Sequence, residues 1–137
     1  MSYRGGKPLI LLAEDFEDAR DLYCDYLEFS GFAVKTAGNG REAIELARLL
    51  RPDLILMDAS MPVLDGWEAT RQLKANPDTR NILVIALTAH AFEHARAEAK
   101  AAGCDGFITK PCLPDELVQR IKATLDGASR RKTRSRA

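Results

Sequence analysis

Apolar residues in this chain come in short unbroken runs, and those runs restrict the fold more than any other feature. Residues 9–13, 54–57 and 82–87 contain no polar side chain. Successive side chains of a strand point to opposite faces, so a strand wetted on one side alternates polar and apolar residues. An unbroken run therefore predicts a strand covered on both faces, as in a parallel sheet between helices. The segments between the runs supply the helices. Apolar residues recur at three- and four-residue spacing in 18–29 (Ala19, Leu22, Tyr23, Tyr26, Leu27), in 41–50 and in 113–125. Residues 66–75 and the alanine-rich 92–102 complete the helical set. Ser30-Gly31, Pro52, Asn76-Pro77, Gly103 and Asp126-Gly127 mark helix ends. Two further strands are predicted at 32–37 and 106–109. Five strands alternating with five helices predict an α/β fold, a doubly wound parallel sheet with right-handed crossovers.

The 137 residues suffice for one domain with a real core. The expected organisation is a short extension (1–7), one domain (8–126) and a basic, disordered tail (127–137). No apolar run approaches the roughly 20 residues of a membrane span. The first residues lack the pattern of an export signal, so a cytoplasmic location is expected. Cys24, Cys104 and Cys112 are odd in number and share no metal-ligand spacing, which suits reduced thiols. Formal net charge is zero, yet the tail alone holds Arg130, Arg131, Lys132, Arg134 and Arg136. The body is thus acidic, which argues against direct DNA binding through it.

Ligands of open α/β sheets bind beyond the carboxyl ends of the strands. The residues just after the apolar runs are Glu14-Asp15, Asp58, Thr88 and Lys110. Glu14, Asp15 and Asp58 brought together repel, and would protonate or recruit cations. A divalent ion and Lys110 balance their charge, and carboxylate oxygens favour a hard ion, Mg²⁺ or Mn²⁺. Lys110 and the Thr88 hydroxyl offer a phosphoryl group a point charge and a hydrogen-bond donor. Any one of these residues alone reads as a solvated strand end or a helix cap, Asp15 included. Four strand ends carrying such groups make a stronger signal.

In this arrangement the chain resembles the receiver domain of response regulators, over roughly residues 8–126. The resemblance rests on Glu14-Asp15, Asp58, Met61-Pro62, Asp65-Gly66, Thr88-Ala89, Phe107 and Lys110-Pro111. It implies a flavodoxin-like sheet of order 2-1-3-4-5. It further implies that Asp58 accepts a phosphoryl group from a histidine kinase or histidine phosphotransfer protein. Asp15, Asp58 and the Ser60 backbone carbonyl would ligate Mg²⁺, and Glu14 would do so through water. Lys110, Thr88 and the Ala89 amide would hold the phosphoryl oxygens. Thr88 and Phe107 would form the switch, and the Lys110-Pro111 bond would be cis. A downstream protein would read the face made by helix 4, strand 5 and helix 5. Phe107 lacks the hydroxyl of the tyrosine common at its position, so a switch there works by packing. Ser60 and His90, each two residues beyond a key position, belong to positions that influence acyl-phosphate hydrolysis.

Several features point elsewhere. Gly38-Asn39-Gly40-Arg41-Glu42-Ala43 fits a dinucleotide fingerprint, and an acidic residue follows about 20 positions on. The plainer reading is a glycine turn with Asn39 as a helix cap. An aspartyl-phosphate phosphohydrolase would carry a second aspartate two residues beyond the nucleophile; Ser60 stands there. His90 and His94 have metal-binding spacing but read as a solvated helix face, and Trp67 reads as a packing residue. The expected role is thus a phosphoacceptor switch, not an enzyme acting on a separate substrate. A phosphate-independent interaction module and a phosphate sink are the alternatives.

Overall fold

A computed structural model describes the backbone of residues 6–89 and 93–136, and the side chains of these residues except Glu93 and 129–136. The elements are β1 (Leu9–Ala13), α1 (Glu17–Phe29), β2 (Ala33–Ala37), α2 (Gly40–Leu50), β3 (Leu54–Asp58), α3 (Gly66–Ala75), β4 (Leu83–Thr88), α4 (Glu93–Ala102), β5 (Gly106–Thr109) and α5 (Pro114–Arg136). The five strands form one parallel sheet in the order β2-β1-β3-β4-β5. This is the order and fold class that the resemblance implies.

The unbroken runs do what they predict. All five residues of β1 and of β3 are buried. Ile10 and Leu12 of β1, with Leu54 and Leu56 of β3, face Tyr23 and Leu27 of α1 and Leu117, Val118 and Ile121 of α5. Their neighbours Leu11, Ala13, Ile55 and Met57 face Ala43 and Ala47 of α2 and Ala69 and Leu73 of α3. One strand thus feeds two cores, and each large side chain buried contributes roughly 1.5–3 kcal/mol. Among its described side chains α4 buries only alanines, Ala95, Ala99 and Ala102.

Local chemistry sets the loops that matter for the strand ends. Asn39 caps α2 by accepting a bond from the Glu42 amide at 2.9 Å, and Asp65 caps α3 by accepting one from the Glu68 amide at 2.8 Å. Gly66 packs so closely on the end of β3 that an added Cβ would overlap the Asp58 carbonyl oxygen. Asp15 does not cap α1: the N-cap is Phe16, without a side-chain bond.

The last helix overruns its expected end. Asp126-Gly127 does not stop α5, and the segment read as disordered continues as helix to Arg136. A glycine inside a helix costs only about 1 kcal/mol relative to alanine, and no proline follows it. Alanine and arginine around it are good helix formers, and basic residues suit a helix C-terminus.

Candidate functional site

Register brings the strand ends together before any side chain is considered. Ala13 of β1 lies beside Met57 of β3, so Glu14 stands level with Asp58. Asp58 pairs with Leu87, and Thr88 pairs with Thr109, the residue before Lys110. Backbone bonds lock these ends: the Glu14 amide donates to Ala37 (3.0 Å), Ala59 to Leu87 (2.8 Å) and Lys110 to Thr88 (2.7 Å). The result is a cleft of about 620 Å³ at the C-terminal edge of the sheet. Glu14, Asp15, Asp58, Ser60, Thr88, Ala89 and Lys110 all line it.

Within it, Glu14, Asp15 and Asp58 bring carboxylate oxygens within 4.8 Å of one another. Glu14 is 1% and Asp58 4% exposed, whereas Asp15 stands at the open mouth. Lys110 bridges the two buried carboxylates, its Nζ 3.0 Å from Glu14 Oε1 and 3.1 Å from Asp58 Oδ2. The other Asp58 oxygen, Oδ1, accepts from the Ser60 amide at 3.0 Å. Burial pushes the Glu14 carboxyl above the usual carboxylate range, and its bond to Asp58 pushes the same way, against Lys110. Burial opposes charge on Lys110, but its contacts with Glu14 and Asp58 outweigh this and raise its pKa. Three carboxylates facing one ammonium leave the cluster with excess negative charge. An all-oxygen set with this excess of negative charge suits a hard divalent cation such as Mg²⁺.

The remaining expected residues fall in two groups. Thr88 is buried at the end of β4, 3% exposed. Phe107 lies outside the cleft lining, half-buried on β5. The Arg96 guanidinium of α4 stands 5.5 Å from its ring centroid, and Arg120 of α5 donates to its carbonyl at 3.0 Å. The Lys110-Pro111 bond is cis. His90 lies outside the described residues. The glycine pattern at Gly38–Gly40 has a structural role: the Gly38 amide donates to Glu42 at 2.7 Å, and a Cβ on Gly40 would overlap the Leu64 carbonyl.

Residues that the sequence did not single out as site residues line the same cleft, among them the large side chains Phe16, Trp67, His94 and Glu98. His94 is exposed, as a solvated helix face requires, but that face looks onto the cleft mouth. Its four-residue spacing from Glu98 put the two on one side of α4; only the packing of α4 says which side. Trp67 follows Asp65-Gly66, and the close fit of Gly66 on Asp58 carries it to the cleft.

Known proteins share this chain's pattern. The family model for the response regulator receiver domain matches residues 10–122. The polar-differentiation response regulator DivK of Brucella anthropi is 39% identical over 119 residues, which cover 87% of this chain and 97% of the relative. DivK of Brucella ovis is 37% identical over the same length. Among solved structures, the signal receiver domain of a Syntrophus aciditrophicus signal transduction histidine kinase is 38% identical. Its TM-score is 0.81, with 88% of this chain and 91% of that one covered. The receiver domain of the Pseudomonas aeruginosa sensor histidine kinase PA1611, with a magnesium ion coordinated in its active site cleft, is 33% identical. There the TM-score is 0.82 and the coverage 88% and 99%. With matching strand order, strand-end chemistry and relatives, the chain belongs to the response regulator receiver domain family.

Proposed function

We propose that this chain is a phosphoacceptor switch that takes a phosphoryl group onto Asp58 in a Mg²⁺-dependent reaction. The observation that carries the reading is Lys110 bridging Glu14 and Asp58 at 3.0 and 3.1 Å, in a cluster of three carboxylates at the strand ends. Asp15, Asp58 and the Ser60 carbonyl would hold the ion, with Glu14 bound through water. When bound, Mg²⁺ neutralises charge on the transferring phosphoryl group.

The chain's own residues do the rest. Lys110 and the Ser60 amide each hold one Asp58 oxygen, which orients the carboxylate toward the cleft. An Asp58 oxygen attacks phosphorus in line, the bond from phosphorus to the donor's imidazole nitrogen breaks, and the imidazole leaves with that bond pair. Lys110, freed from Asp58, pairs with a phosphoryl oxygen, while the Thr88 hydroxyl and Ala89 amide donate to others. Thr88 drawn toward the phosphoryl group leaves room beside Phe107, and the surface of α4, β5 and α5 changes for a downstream protein. The donor is a histidine kinase or phosphotransfer protein, and the cytoplasm is the proposed compartment. No described helix is long and apolar enough to cross a membrane. The chain turns over no separate substrate; it catalyses only its own phosphorylation and dephosphorylation.

Intact mass after incubation with acetyl phosphate tests this. The expected result is one added phosphoryl group that requires Mg²⁺ and is missing in Asp58→Ala. No adduct from acetyl phosphate or from a phosphohistidine donor, sampled within seconds, would leave a phosphate-independent module as the better reading.

A further inference from the structure

Arg20 has a position that the proposed chemistry does not use. It lies in the second turn of α1, half-buried, and its Nη1 donates to the Glu14 backbone carbonyl at 3.0 Å. That carbonyl belongs to the peptide joining Glu14 to Asp15. The Glu14 amide makes a bond to β2, at Ala37, and the Glu14 side chain accepts from the Phe16 amide at 3.2 Å. The Glu14 carbonyl instead reaches a side chain, Arg20. The guanidinium lies beside Gly38, the residue after β2, at ordinary contact distance from where a Cβ would stand, 3.4 Å from Nη1.

We infer that Arg20 is a positioning residue for the divalent cation: by holding the Glu14 carbonyl it fixes the Glu14–Asp15 peptide and so aims the exposed Asp15 carboxylate into the cleft. Asp15 has the greatest need of such help. Glu14 and Asp58 are buried and tied to Lys110, whereas Asp15 stands at the mouth. Its place in the oxygen cluster depends on the peptide plane before it. The inference rests on the proposed Mg²⁺ site.

Electrostatics and positioning make opposite demands, which lets them be separated. Removing a cation near a site for Mg²⁺ strengthens metal binding by Coulomb's law alone. Removing a hydrogen bond that orders a ligand weakens it. A net hydrogen-bond contribution of about 0.5–1.5 kcal/mol corresponds to roughly a 2- to 12-fold change in affinity.

The experiment is a Mg²⁺ titration of the full chain followed by Trp67 fluorescence, since the only tryptophan lines the cleft. Arg20→Ala, Arg20→Lys and wild type are compared, with urea unfolding to verify equal stability. The expected result is weaker binding in Arg20→Ala by several-fold, and recovery to within about 2-fold in Arg20→Lys, because one donor suffices for a carbonyl. Faster amide hydrogen exchange at Asp15 in metal-free Arg20→Ala is expected as well. Unchanged or tighter Mg²⁺ binding in Arg20→Ala overturns the inference and leaves Arg20 as a surface charge. An Arg20→Lys variant as weak as Arg20→Ala at wild-type stability also overturns it. Wild type that binds no Mg²⁺ removes the metal site itself, a different failure.

Discussion

Lys110 lies within 3.1 Å of two carboxylates that are almost completely buried, so its removal leaves them facing one another without a counter-charge. Lys110→Ala is expected to bind Mg²⁺ at least as tightly as wild type, because a competing cation is gone. It is expected to take up phosphoryl from acetyl phosphate about 100-fold more slowly, the size of effect seen when one preorganised donor is removed. Time-resolved intact mass measures the second effect and fluorescence titration the first. The thiols give an independent check of burial. Cys104 has its pKa pushed up to about 11 by burial, with a partly opposing bond to Thr70. Its protonated form is favoured in the fold, so this contribution to stability is present below the ordinary thiol value of 9 and is lost as pH rises toward 11. At pH 8 its alkylation is expected to be roughly 100-fold slower than that of an exposed cysteine with an ordinary pKa, read by peptide mass. At this scale the sequence made Glu14, Asp15, Asp58, Thr88 and Lys110 legible, because residues that follow the strands of a parallel sheet gather at one edge. His94 and Glu98 were not legible as cleft residues, because a helix face is known from periodicity but its target is known only from packing.

Gly66 joins an element boundary to the site. A side chain there would meet the Asp58 carbonyl oxygen and the Ala59 Cα, at 2.9 Å for the latter. Backbone cannot yield as a side-chain tip does, so Gly66→Ala is expected to cost about 1–3 kcal/mol in urea unfolding. Gly106→Ala is the control, because its new Cβ would find ordinary contacts at 3.9 Å, and it is expected to cost less than Gly66→Ala. Equal costs would mean that the close fit of α3 on β3 is not what holds Asp58 in place. Element starts and stops were readable where one residue type forces them, as at Asn39 and Gly103, where φ is +94°. They were not readable at the end of α5, where Gly127 is a preference that good helix formers on either side override. At the N-terminus of α1 the bland alternative falls away: Asp15 is a good cap by type, but Phe16 stands at the N-cap and the Asp15 carboxylate belongs to the oxygen cluster.

For the whole molecule, a parallel sheet covered on both faces leaves its C-terminal edge as the place where charged side chains can gather without entering the core. The fold class followed from the alternation of strand-like runs with amphipathic helical segments. Strand order did not, since alternating strands and helices permit several orders, and it came from resemblance before the register bore it out. The excess negative charge gathered at that edge works against folding until a cation relieves it. Mg²⁺ at 100 times its dissociation constant is therefore expected to stabilise the native state by about 2.7 kcal/mol. Thermal unfolding with and without the ion reads this, and Asp15→Asn is expected to lose most of the gain. The most direct test of the central claim is to trap the acyl phosphate where it forms. Borohydride reduces an aspartyl phosphate to homoserine, so the chain is phosphorylated in Mg²⁺, reduced, digested and sequenced by mass. Homoserine at position 58, absent without Mg²⁺, is the expected result; homoserine at another aspartate, or none while a phosphoryl adduct is present, would contradict the assignment of Asp58.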